Sequence, residues 1–130
     1  MELEDQLRRI QANVDLFIAQ CAPASDHDFG LDRASVEWVD GFVERQRARL
    51  APGELGALPS VVGCFLGACL VEATPGRWAR DEEQGWGIEF PSGNWAFPIS
   101  KARKQFEEGP GDSILAFYDM TLALVRDGRL

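Results

Sequence analysis

The sequence predicts an α+β fold: about five helices around a central apolar helix at 59–72, with a three-stranded antiparallel meander over about 77–98. Three observations carry this. Apolar residues recur at helical spacing through the N-terminal half. One segment, Ser60 to Val71, is apolar on every side. After Thr74-Pro75-Gly76 the period changes from helical to two. A chain of 130 residues, 45% hydrophobic and 26% charged, is of ordinary size for one domain, residues 1–130.

The first element is a helix over 2–21. Leu3, Leu7, Ile10, Val14, Phe17 and Cys21 alternate steps of four and three, which places them on one narrow seam. Such a seam serves either as an appended packing helix or as a dimerisation helix, so monomer and homodimer both remain open. Ala22 to Leu31 reads as a loop, and Asp32 as the N-cap of a second helix from about Arg33 to Leu50. Val36, Val39, Phe42, Val43 and Leu50 form its buried side, with Trp38 beside Phe42. Its early Glu37 and Asp40 and its late Arg45, Arg47 and Arg49 complement the helix dipole. Alternate helical residues diverge by roughly 200°, so the three arginines form no common patch.

Pro52 and Gly53 break the chain, and Pro59 suits the first turn of the central helix. A helix without a polar face is surrounded by protein. Ser60, Gly63 and Gly67 line one side of it and allow another backbone to approach. Short strands follow at Trp78, at Trp86 to Phe90 and at Trp95 to Phe97. Pro98 opens a short helix ended by Glu107-Glu108-Gly109-Pro110-Gly111, and Asp112 is expected to cap a last helix. Its inward residues are Ile114, Leu115, Tyr118, Leu122 and Val125.

The stretch Gly85 to Pro98, "GWGIEFPSGNWAFP", holds two of the four tryptophans and admits two registers. A two-residue Ser92-Gly93 loop pairs Phe90 with Trp95 and gathers Trp86, Ile88, Phe90, Trp95 and Phe97 on one face. A type I turn centred on Pro91-Ser92, with Gly93 as a left-handed bulge, pairs Phe90 with Asn94 and sends Trp95 and Phe97 to the other face. Turn chemistry favours the second register. Burial favours the first, because a single apolar face needs a single cover, and burial is the heavier weight.

Several function classes are excluded or disfavoured on chemical grounds. The formal charge of −8 opposes nucleic acid and anionic membrane as partners. The start, Met1 to Asp5, is acidic and unlike a secretory signal, and the apolar run Ala57 to Val71 is shorter than the ~20 residues a spanning helix needs. With three cysteines in apolar helical contexts, this suggests a cytoplasmic protein. Cys64 and Cys69 are five apart and diverge on a helix, so no zinc site is expected with Cys21 and His27. Asp26, Asp28, Asp32 and Glu37 match four places of a calcium loop, but Gly30 and Leu31 stand where it needs a ligand and then a glycine. No metal and no cofactor is expected. Neither phosphate-binding glycine pattern occurs, and the sole histidine has no evident partner, so no catalytic residue is assigned and no enzyme is expected.

The segments "GCFLGACL", "PGRW" (Pro75 to Trp78), "GNWAFPISKARKQFEEG" and "DSILAFY" resemble a family of small bacterial proteins of uncharacterised function. In that family a helix bearing F-L-G-E-C precedes G-G-x-W, a hairpin, W-A-F-P, a lysine-bearing helix and D-S-I. The likeness covers roughly residues 58–120 and leaves the N-terminal helix unmatched. It implies a compact α+β domain and supplies no reaction. Ala68 stands where the family often carries a glutamate.

The leading functional expectation is a non-catalytic protein-interaction or binding domain. Small acidic bacterial proteins of immunity or antitoxin type are the analogy, with a basic protein as partner. Its footprint would be Asp81, Glu82 and Glu83 with Glu107, Glu108 and Asp112. The alternative is a small-molecule site for an anionic ligand, built on the aromatic hairpin from Arg77, Trp78, Trp86, Trp95, Lys101 and Arg103. Either charge cluster is also compatible with a plain solvated face.

Overall fold

In a computed structural model four residues on the seam of the first helix, α1 (Leu3–Cys21), are buried inside the chain, Ile10, Val14, Phe17 and Cys21, while Leu7 is half-buried and Leu3 is exposed. The structure describes residues 2–130, and Met1 lies outside the described residues. A single 3-10 turn, Ala22–Ala24, leads into a loop, and α2 (Arg33–Arg49) then begins at the expected cap. The Asp32 carboxylate accepts a hydrogen bond from the Ser35 amide at 2.9 Å, satisfying one of the free donors at the helix start. Trp38 stacks on Phe42, with ring centroids 5.7 Å apart and planes 16° apart, and Arg45 caps the Trp38 ring at 5.2 Å. Arg47 turns elsewhere, to Glu44 and to the Phe106 carbonyl, so the late arginines do diverge.

The central helix α3 (Leu58–Ala73) is buried continuously from Val62 to Leu70. Its two glycines are contact points. A Cβ at Gly63 would fall 2.4 Å from the Ile99 Cα, so the backbone of α4 (Pro98–Glu108) rests directly on this helix. At Gly67 a Cβ would meet the Trp78 ring at 2.3 Å. Only hydrogen fits at either place. Phe65 is fully buried against Phe17, whose ring lies 5.4 Å away, and against Phe29 at 5.6 Å. A side chain of that size contributes roughly 1.5–3 kcal/mol by leaving water.

Three strands follow in sequence order: β1 (Arg77–Asp81), β2 (Gly85–Glu89) and β3 (Trp95–Ala96), all antiparallel. The register corrects the expected hairpin. Glu89 pairs with Trp95 and Ile88 with Ala96. The Phe90 amide donates to the Asn94 carbonyl, the Gly93 amide donates to the Phe90 carbonyl, and Gly93 has φ +90°. This is the bulged turn on Pro91-Ser92, and the one-faced arrangement is overturned. Turn chemistry prevailed, and α4 and the last helix cover the second face only in part. Trp78, Trp86, Ile88, Phe90 and Ala96 share the inner face; Gly87, Glu89, Trp95 and Phe97 lie on the outer one.

Phe97 sits at the N-cap of α4, and α4 runs to a 3-10 turn at Pro110–Asp112. The last helix, α5 (Ile114–Arg126), supplies a second correction. Its cap is Ser113, whose hydroxyl accepts from the Ala116 amide, and not Asp112, which pairs with Lys101 at 3.2 Å. Gly128, at φ +73°, turns the chain back so that the Arg129 amide reaches the Leu124 carbonyl and Leu130 returns toward β3. No helix among the described residues is long and apolar enough to cross a membrane.

Candidate functional site

The inner face of the sheet packs on helices, with Ile88 and Phe90 buried and Trp78 and Trp86 half-buried. Trp78 and Trp86 meet edge to face at 6.5 Å and pack on the small cluster of Ile10, Val14, Cys64 and Ala68. Gln6 of α1 closes this layer by accepting from the Trp86 indole at 2.7 Å and from Arg80 at 2.8 Å. Burial pushes the Cys64 thiol up to about 11, away from the thiolate form that reacts.

The outer face borders a groove of about 460 Å³ between β3, α4 and α5. Trp95 and Phe97 form its aromatic wall, with centroids 5.7 Å apart and planes within 7° of parallel. Gly87 makes this possible, because a Cβ there would strike the Phe97 ring at 2.7 Å. On one side α5 presents Phe117, Met120 and Leu124, one helical face in which Met120 is 56% exposed. The Thr121 hydroxyl between them donates to the Phe117 carbonyl at 2.8 Å and offers the groove no donor. Opposite, α4 presents Ser100, Lys101 and Lys104. Asp112 holds Lys101, whereas Lys104 makes no ion pair or hydrogen bond among the described residues.

A polar node joins the helices that build this groove. Gln105 is fully buried and donates to Asp40 at 2.8 Å and to Glu44 at 3.0 Å, while its carbonyl oxygen accepts from the Ile114 amide at 2.8 Å. Asp40 also accepts from the Ser113 hydroxyl and the Leu115 amide. Asp40 and Gln105 thus serve the free amides of Leu115 and Ile114 at the start of α5, and Glu44, one turn from Asp40, holds the Gln105 side-chain amide. Sequence reasoning missed Asp40, Glu44, Gln105 and Ser113 as a unit. Only the i, i+4 spacing of the two acids hinted at it.

The six residues proposed for a ligand site do not converge. Trp95 and Lys101 line the groove. Trp78 and Trp86 lie on the inner face, and Arg77 pairs with Glu89 at 2.8 Å on the exposed outer edge. Arg103 donates to Ser60 at 2.9 Å beside a separate hollow of about 470 Å³ that Phe106 and Glu107 also line. The six acidic candidates also separate. Asp81 accepts from the amides of Glu83 and Gln84 and so holds its own turn, and Asp112 holds Lys101. Glu82, Glu83, Glu107 and Glu108 are exposed, the first two on the β1–β2 turn and the others at the end of α4.

The nearest approach to a nucleophile–base pair is elsewhere. His27 Nε2 lies 3.1 Å from the Ser35 hydroxyl, with Asp26 3.6 Å from Nδ1. Ser35 is fully buried and its oxygen already accepts from the Gly30 amide at 2.9 Å, so a substrate has no route to it. The arrangement ties the loop after α1 to the start of α2. No cluster of metal-ligating side chains occurs among the described residues. Comparison with family models, with curated proteins and with solved structures gives no match for this chain.

Proposed function

We propose that the chain is a non-catalytic binding domain and that its ligand site is the groove between β3, α4 and α5. The observation that supports this best is the bulged hairpin register. It sends Trp95 and Phe97 to the outer face, where the helices stop short of closing over them. A shallow, open and mainly apolar groove of about 460 Å³ with a few polar groups on one wall has the lining of a small-molecule site. Kinship with the small bacterial family, and a cytoplasmic setting, belong to the same proposal and rest on the motifs and composition alone.

Chemical-shift mapping with a mixed set of small apolar and amphipathic fragments tests the site. The expected result is a cluster of shifted amides and indoles at Trp95, Phe97, Met120 and Leu124. Shifts gathered at Arg103 and Ser60, or along the β1–β2 turn, would overturn it.

A basic protein partner, as for an immunity or antitoxin protein, remains a second reading. It is favoured by Glu82, Glu83, Glu107 and Glu108, which make no ion pair among the described residues. Charge reversal of Glu82 and Glu83 to lysine would then slow association with that partner and flatten its salt dependence. Unchanged kinetics would exclude it.

A further inference from the structure

We infer that the groove takes a compact amphipathic anion, a flat apolar ring system bearing one carboxylate. The inference rests on the groove being the binding site and specifies what that site recognises.

Charge is the first ground. The chain has 21 acidic residues against 13 lysines and arginines, yet no acidic side chain lines the groove, whereas two lysines do. Leu130 also lines it, and among the described residues its terminal carboxylate pairs with neither lysine. Of these, Lys101 is already neutralised by Asp112. Lys104 is exposed and unpaired among the described residues, so one cation is available and one anion satisfies it. A polyanion would leave further charges facing apolar walls at a desolvation cost.

Shape is the second. The near-parallel Trp95 and Phe97 rings make a flat ledge, with Phe97 laid against Gly87. A planar ring gains most by stacking there, offset or edge-on. The α5 wall adds Met120, a side chain that adapts to irregular apolar shapes, and no free donor. The ligand's polar end must therefore point to the α4 wall, toward Ser100 and Lys104. An added peptide strand is a poorer occupant, because β3 is only two residues long and gives little ladder to extend.

Calorimetry and two-dimensional amide NMR with naphthoate and its neutral amide, naphthamide, test this on the full chain. Naphthoate should shift Trp95, Phe97 and Lys104, and naphthamide should bind at least about three-fold more weakly. An exposed ion pair is worth up to ~1 kcal/mol, so Lys104→Gln should weaken naphthoate about three- to five-fold and leave naphthamide unchanged. Met120→Glu, at an exposed position that folding tolerates, should weaken naphthoate more than naphthamide. Equal affinity for the two probes, or equal weakening of both by Lys104→Gln, overturns the anion and leaves the groove as the site. Absence of groove shifts with either probe, while fragments shift another region, overturns the groove reading itself.

Discussion

On the inner face of the sheet the half-buried Trp78 and Trp86 pack on residues of α1 and α3 above the buried Ile88 and Phe90, whereas on the outer face Trp95 and Phe97 stack on each other beside an open groove. Both faces are aromatic, and on each a ring presses against a glycine: Trp78 against Gly67 of the covering helix α3, Phe97 against Gly87 of β2. They differ in what covers them. The inner face meets α1 and α3, which also pack on each other. The outer face borders a groove walled by α4 and α5, and Gln105 of α4 ties the start of α5 to α2 through the Ile114 amide and Asp40. Aromatic content alone therefore does not distinguish core from site. How completely the facing helices cover each face does.

The sharpest way to break the comparison is to truncate one ring on each face. Phe90 is 2% exposed on the inner face, and Phe90→Ala should cost about 3–5 kcal/mol in urea unfolding. Phe97→Ala on the half-open face should cost clearly less, about 1–2 kcal/mol, because water already reaches part of the ring. Equal losses would mean the outer face is core after all.

Removing the strut between α4 and α5 comes next. Gln105→Ala leaves the Ile114 amide and one side of Asp40 without partners, and buried polar groups so stranded cost about 1–3 kcal/mol each. Urea unfolding should register the loss, and amide NMR should show α5 shifting relative to β3 while the inner face is undisturbed.

Adding a methyl beneath each ring gives a smaller contrast. Gly67→Ala should cost about 2–3 kcal/mol, because the Trp78 ring 2.3 Å away is confined by α1. Gly87→Ala should cost less, about 1–2 kcal/mol, by tilting Phe97 into the groove and spoiling the ledge. Thermal melts and probe binding report the two effects separately.

Acid should act on the helix ends and spare both faces. The Ser35 hydroxyl and amide hold the Asp32 carboxyl below its ordinary value, and Arg33 does the same for Asp119. Groups lowered in the folded state add stability above their unfolded pKa of about 3.9, and that contribution is lost as pH falls through the folded value. Stability should therefore fall below about pH 4. Asp32→Asn, which keeps the cap, should make that fall shallower. An unchanged slope would remove Asp32 from the acid response.

Much of the fold was legible because local rules and tertiary needs agreed. The continuous apolar run around Phe65 had to be surrounded by protein, and Asp32, Gly63 and Gly67 each did what their chemistry requires at their positions. The candidate site was only partly legible. Trp95 and Lys101 reached the groove, whereas Arg77, Trp78, Trp86 and Arg103 were dispersed by strand alternation and by the opposite sides of α4. Phe117, Met120 and Leu124 were the available clue. They lie beside the inward residues of α5 and leave that helix more apolar than one buried face needs.

By itself, the sequence determined the elements, the central helix and its close approaches, the acidic surface, and the two registers open to the hairpin. Each of these follows from residue type and short-range spacing. Only the tertiary structure decided between the registers, chose Ser113 over Asp112 as a cap, assembled Asp40, Glu44 and Gln105 into one node, and brought Lys104 to the same groove as Trp95 and Phe97. The physical reason is the same in each case. A strand's alternation or a helix's face says that a side chain needs a partner, and only the packing of distant elements says whether that partner is protein, water or a ligand.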